Sequence, residues 1–375
     1  MTEPASRPAR LYTLDALRGL AALCVVFWHW QHFFYTAAGP VDLVVSDQPF
    51  YSLLTPLYHY GGLAVQLFFV LSGFVFFWLF SQPIADRSVR PLAFAWDRFS
   101  RLYPLHIVSF GLVALLQLGY VEEHGTYFVY LYNDGYHALL NLLLAPAWGF
   151  EQGWSFNAPV WSVSVEVLLY ASFFLVCQAG RWRWLLAAVA FGLGIWLYPE
   201  HYKLGSGVLC FYIGGVTYGL LEWLRRCLGP GGTVVVTTLG CLAAWGWQMV
   251  GLEGVNAYLV MCLGFPLTLM MLAAANYRWP TLLRSWAGLG EISYSSYLLH
   301  FPLQIVFVMV ADELGCSRAV FYQEWVLVLF LAVLLPLSFW CYRWVERPVQ
   351  RYLRDGVAWG WRARGALRVG DSPET

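Results

Sequence analysis

Charge is what this sequence has least of. Only 12% of its 375 residues are charged, about half the roughly 25% of soluble proteins. A globular surface cannot be covered with so few charges. Neither sign dominates: 22 basic residues balance 22 acidic ones, which excludes a nucleic-acid surface and a disordered chain. Close cysteine pairs are absent too. The eight cysteines (Cys24, Cys177, Cys210, Cys227, Cys241, Cys262, Cys316 and Cys341) never fall within ten residues of each other. That excludes a CxxC metal or redox motif and argues against a disulfide framework. No metal-ligand pattern, Walker motif or strand-linked GxGxxG occurs, which argues against ATP-driven transport. The polar stretch from Met1 to Arg10 carries no cleavage signature, so the first apolar segment is expected in the mature protein.

What is abundant is apolar and aromatic: 59% hydrophobic residues, 18% aromatic, with 20 Trp. A bilayer span needs about 20 mostly apolar residues. Ten segments qualify, roughly 14–36, 61–81, 102–120, 158–179, 184–199, 204–224, 233–250, 255–275, 293–311 and 323–342. An eleventh stretch, 137–148, is too short to cross and reads as re-entrant or interfacial. The expected fold is all-α, a polytopic membrane bundle of about ten helices. Arginine placement orients it. One side collects Arg7, Arg10, Arg87, Arg90, Arg98, Arg101, Arg181, Arg183, Arg225, Arg226, Arg278, Arg284 and the run from Arg343 to Arg368. The other holds only Lys203 and Arg318 among many acids. Both termini are therefore expected in the cytoplasm. The organisation is a tail at 1–13, a membrane domain at 14–348 and a basic tail at 349–375, whose Trp359 and Trp361 suit the membrane surface.

Ionisable groups inside spans are costly and point to function. The first span, TLDALRGLAALCVVFWHWQH, places Arg18 and His29 eleven residues apart. That is about three turns with about 20° left over, so they share a face some 16 Å apart. Asp15 lies one turn before Arg18 and can pair with it. The same residues also fit a topological anchor and a core histidine bonded to a backbone carbonyl. In GWSFNAPVWSVSVEVLLY, Asn157 suits a cap, Pro159 an early helical position, and Glu166 lies about 10 Å below the surface with Ser162 on its face. In GEISYSSYLLHFPL, Ser293, Ser296 or Tyr297, and His300 form a polar stripe beside a Pro302 kink. That stripe fits helix-to-helix hydrogen bonding as well as chemistry. The DRSVRPLAFAWDRFSRLYP loop carries Arg98 and Arg101 one turn apart, able to hold phosphates or simply to anchor the chain. In FFVLSGFVFF, Gly73 permits close packing, and Ser72 has no nearby base.

Taken in order, these fragments resemble the motifs of the acyltransferase 3 family: LDALRG with the step from Arg18 to His29, FFVLSGF, Arg98 and Arg101 followed by Leu-Tyr-Pro, WSVSVEVLLY, ISYSSYLLH and VERP. They span residues 14 to 348. One departure is Val167, where the family often has an aromatic after the Glu. The resemblance implies a membrane acyltransferase that moves an acyl group, usually acetyl, from cytoplasmic acyl-coenzyme A to a hydroxyl. The acceptor is often a surface-polysaccharide sugar, and other members modify peptidoglycan, signalling oligosaccharides or macrolides. It implies His29 as catalytic histidine, Arg18 as its motif partner, and Arg98 and Arg101 as contacts for the coenzyme A phosphates. Glu166 and His300 match further motif positions.

In that light His29 serves as general base or acyl carrier. Glu166 is expected to orient it as a third triad member, and Arg18, Tyr297 or a backbone amide to face the thioester oxygen. No metal is expected. The implied partners are acyl-coenzyme A, a glycan-like acceptor and membrane lipid, in a bacterial plasma membrane. The alternative is a secondary transporter or flippase for a glycan or organic acid, which would need similar intramembrane groups but commonly shows repeat symmetry. A non-enzymatic membrane subunit is a third reading.

Overall fold

The computed structural model describes residues 10–36, 39–250 and 254–355. The expectation for Trp359 and Trp361 lies outside them. The described chain is helical almost throughout: α1 (Tyr12–Trp28), α2 (Tyr51–Tyr60), α3 (Ala64–Ala85), α4 (Pro91–His124), α5 (Gly135–Leu142), α6 (Trp161–Gln178), α7 (Arg183–Leu197), α8 (Tyr202–Val250), α9 (Ala257–Leu259), α10 (Phe265–Arg278), α11 (Ala287–Glu291), α12 (Ser293–Glu313) and α13 (Glu324–Cys341). A two-residue ladder, β1 (Tyr35–Thr36) with β2 (Gly39–Pro40), pairs Tyr35 with Pro40 after the first span.

Seven helices among the described residues are long and apolar enough to cross a bilayer. The ten expected spans differ from these seven for physical reasons. The α-helical part of the first span has 17 residues and tightens at His29 into a 3₁₀ turn reaching Phe34. Together these rise about 37 Å, enough for a core of about 30 Å. The fifth expected span is the 15-residue α7. The sixth and seventh both lie in the 49 residues of α8, as two helical runs broken at Gly229 (φ 67°, ψ 178°) just before Pro230, between the two expected spans. A straight helix of that length would run about 73 Å. Instead, Gln248 near its end accepts from the Asn256 amide, while Tyr198 beside its start packs on Tyr258 with ring centroids 4.9 Å apart. The two ends meet, so α8 doubles back at Gly229.

Two other boundaries move. The third span begins at Pro91 rather than 102, so Arg98 and Arg101 stand on α4 itself and not on a loop. Pro91 at the first helical position costs no hydrogen bond, which lets the helix start early. The last helix continues through a π turn at Tyr342–Glu346 to Asp355, past the expected tail start at 349. The short 137–148 stretch enters the bundle and turns back within it. Capped by the Asp134 side chain, α5 descends until Leu142 accepts from the Tyr103 hydroxyl (3.1 Å) and Asn141 from His106 Nε2 (2.8 Å). The chain then turns back, where Ser164 Oγ accepts from the Ala147 amide.

The centre of the bundle is the crossing of α3 and α8. A Cβ at Gly73 would overlap the Phe211 carbonyl, and one at Gly214 would overlap the Val70 carbonyl. Without a hydrophobic drive between helices in lipid, such backbone-to-backbone approach is what holds them together. The aromatic core around it includes Phe74, Phe77, Phe173 and Phe211, all buried.

Polar contacts between helix ends sort into two groups. One joins Arg10 to Glu291 (3.0 Å), Arg183 to Gln82 (2.7 Å) and Arg354 to Asp97 (2.9 Å). The other joins His124 to Asp312 (3.1 Å), Lys203 to Glu151 (2.8 Å) and the Tyr322 hydroxyl to the Val44 amide (2.8 Å). The arginine-rich ends thus gather on one face and the acid-rich ends on the other.

Candidate active site

His29 stands where α1 tightens, 17 residues and about 26 Å from Tyr12. Its Nδ1 lies 2.9 Å from the Val25 carbonyl. A carbonyl oxygen only accepts, so Nδ1 carries the proton and Nε2 keeps its lone pair. His300 of α12 is fixed in the same way, its Nδ1–H donating to the Tyr297 carbonyl at 2.6 Å. Its Nε2 is buried without a partner among the described residues. The two rings pack with centroids 4.9 Å apart. His32 joins them at 4.7 Å from His29.

Gln304 ties this cluster together, and sequence reasoning missed it. Its Nε2 donates to the His29 carbonyl (2.9 Å), and its Oε1 accepts from His32 Nδ1 (3.1 Å). The signal was available: Gln304 follows His300 by one helical turn, inside a span where an amide needs partners. His29 and His32 open into a cavity of about 290 Å³ that is also lined by Trp28, Tyr35, Tyr130, Trp154 and Trp161. Its rim is on the acid-rich face, where Lys203 sits over the Trp154 ring at 3.9 Å.

A second cavity, of about 100 Å³, lies on the arginine-rich side. Arg18, Arg101, Ser72, Ser162, Glu166, Tyr294 and Tyr297 line it. Arg18 is paired with Asp15 at 3.3 Å, as the spacing predicted, and Asp15 also takes Arg10 at 2.6 Å. Glu166 accepts from the Ser72 hydroxyl (2.9 Å) and from the Tyr170 hydroxyl. This corrects the triad expectation. Glu166 makes no hydrogen bond to His29, and the Val25 carbonyl orients the imidazole instead. Depth along a helix is readable from spacing, but azimuth is not, and Glu166 faces the arginines.

Arg98 and Arg101 also part company. Arg101 reaches the small cavity, while Arg98 pairs with Asp97 and lies among the rings of Phe76, Phe80, Phe94 and Tyr170, 5.3 to 6.0 Å from their centroids. Arg98 borders a third space, an apolar groove of about 760 Å³ between α4, α6 and the turn after α5. The two arginines therefore do not form one clamp. Nor is Tyr297 an idle donor. Its hydroxyl donates to the Pro159 carbonyl (2.6 Å) and accepts from Ser162 (2.8 Å). The expected Asn157 cap is absent as well. The Asn157 amide donates to the Leu298 carbonyl (2.9 Å), the group that Pro302, lacking an N–H, leaves free four residues later. Among the described residues, no group of three His, Cys, Asp or Glu side chains is arranged to hold a metal.

Comparison with known proteins identifies the family. The acyltransferase domain that defines the acyltransferase 3 family matches residues 11–343. Acyltransferase MdmB of Streptomyces mycarofaciens is 28% identical over 353 residues, covering 83% of this chain and 84% of that protein. Exopolysaccharide production protein ExoZ of Rhizobium meliloti (strain 1021) is 25% identical over 306 residues, covering 78% of this chain and 90% of that protein. No solved structure matches. A helical bundle with apolar membrane-length helices, an intramembrane histidine cluster and a family match along nearly its whole length place this chain in the acyltransferase 3 family of membrane acyltransferases.

Proposed function

We propose that the chain transfers an acyl group, acetyl in the simplest case, from acyl-coenzyme A on the arginine-rich face to a hydroxyl of a glycan-like acceptor on the other face. The positive-inside rule makes the arginine-rich face cytoplasmic, in a plasma membrane. One observation carries the reading: His29 has its Nδ1–H tied down and its Nε2 free, at the inner end of a cavity lined by aromatics. That is the state a general base needs. A sugar ring suits the Trp and Tyr walls. The names of the two relatives, an acyltransferase and an exopolysaccharide production protein, are compatible with such an acceptor.

The acceptor hydroxyl loses its proton to His29 Nε2 as its oxygen attacks the thioester carbon. The carbon–sulfur bond breaks, and the proton passes from the imidazolium to the departing thiolate. The products are an ester and free coenzyme A. If Nε2 attacks the thioester first, an acyl-imidazole intervenes and the balance is the same. Arg101 and Arg18 bind the anionic donor from the small cavity. Arg98, enclosed by rings and paired with Asp97, contributes less.

Thermal melting of the purified protein with acetyl-coenzyme A tests the donor side. A ligand at about 100 times its Kd stabilises the native state by about 2.7 kcal/mol. The shift is expected in the wild type and in His29→Ala, reduced in Arg98→Ala and lost in Arg101→Ala. No shift in the wild type at millimolar acetyl-coenzyme A contradicts the proposal.

A further inference from the structure

The two cavities approach each other around Tyr297. Tyr297 and Ser162 line the arginine-bearing cavity, and Pro159 lines the histidine cavity. The Tyr297 hydroxyl bridges them, donating to the Pro159 carbonyl and accepting from Ser162. Phe68 packs edge-on against its ring, with centroids 6.1 Å apart. We propose that Tyr297 is a gate: its ring divides the donor cavity from the acceptor cavity, and its hydroxyl latches the ring shut. The proposal builds on the opposite approach of donor and acceptor argued above.

The surrounding backbone is built for movement at this point. Pro302 removes the amide that would bond the Leu298 carbonyl, so this turn of α12 is held by Asn157 from the segment leading into α6. Asn157, Pro159 and Ser162 all belong to the segment that enters α6, so every bond of the latch joins the same two elements. The Tyr297 carbonyl also fixes the His300 ring, which packs on His29. Swinging the turn that carries Tyr297 therefore moves the second imidazole as well. A small cavity of about 100 Å³ holds a few waters but no acyl-pantetheine arm. Passage of the arm requires the gate to open, and a closed gate keeps acceptor-side water away from the thioester.

The test reads access rather than activity, so failure of the acyl-transfer reading would leave its outcome intact. Val75→Cys places a thiol in the arginine-bearing cavity, and Tyr35→Cys places one in the histidine cavity. A membrane-impermeant methanethiosulfonate is added from the face that bears Lys203, and labelling is compared with the parent protein. With Tyr297 present, Tyr35→Cys reacts and Val75→Cys is protected. In Tyr297→Phe the Val75→Cys rate rises about tenfold, the factor by which two lost hydrogen bonds shift a two-state equilibrium. In Tyr297→Ala it rises further, while Tyr35→Cys labelling stays constant and shows that the fold is intact. Equal labelling of Val75→Cys with and without the Tyr297 ring, fast or slow, overturns the gate.

Discussion

The bond from His29 to the Val25 carbonyl decides which imidazole nitrogen is free, and it does so without a carboxylate. Removing Glu166 as an acid should therefore spare the base. Glu166→Gln keeps an acceptor oxygen for Ser72 and Tyr170, so it is expected to alter the KM for acetyl-coenzyme A while leaving the pH profile of kcat unmoved. His29→Gln, by contrast, is expected to lower turnover by about 10²- to 10⁴-fold, the usual contribution of a general base. Steady-state kinetics over pH distinguishes them. A Glu166→Gln variant that collapses as far as His29→Gln, with a displaced acid limb, returns Glu166 to the triad role. His29 was legible in the sequence because an imidazole deep in an apolar span stands out. Glu166 was legible as a polar group to be satisfied, and Tyr170 stands one turn on in its own helix, but Ser72 comes from α3, which no spacing rule relates to α6.

Between elements, the contact of α12 with the entry to α6 combines a defect and its repair. Pro302 frees the Leu298 carbonyl and Asn157 satisfies it. Asn157→Ala is expected to cost about 1–2 kcal/mol, the price of an unpaired buried acceptor. In a Pro302→Ala background the new amide can bond Leu298 itself, so the same substitution should cost less. Denaturation of the four proteins of this cycle in detergent checks the coupling, and strictly additive losses contradict it. The proline was plain in the sequence as a kink. Its partner was misread as a cap, because Asn before a helix normally bonds its own first turn. The reversal in α8 follows similar logic. Gly229 and Pro230 mark it, and the sequence places its two expected spans, 204–224 and 233–250, on either side of them.

At the scale of the whole molecule, the two groups of end contacts define two faces, and native cysteines report on both. Cys227, beside the Gly229 reversal, and Cys316, after α12, are exposed. In intact cells an impermeant thiol reagent is expected to label Cys316 and to reach Cys227 only after permeabilisation. The opposite pattern inverts the orientation, and labelling of both from outside removes the reversal. Hydropathy and arginine placement carried this much of the architecture, since burial in lipid acts on composition. They could not show which side chains line each cavity, because that depends on how helices rotate against each other. The most direct test of the account is mass spectrometry of glycans and glycosides from cells expressing the wild type, His29→Ala or neither. A new acyl ester is expected with the wild type alone. An undiminished ester with His29→Ala, at equal protein level, contradicts His29 as the residue that carries the transfer.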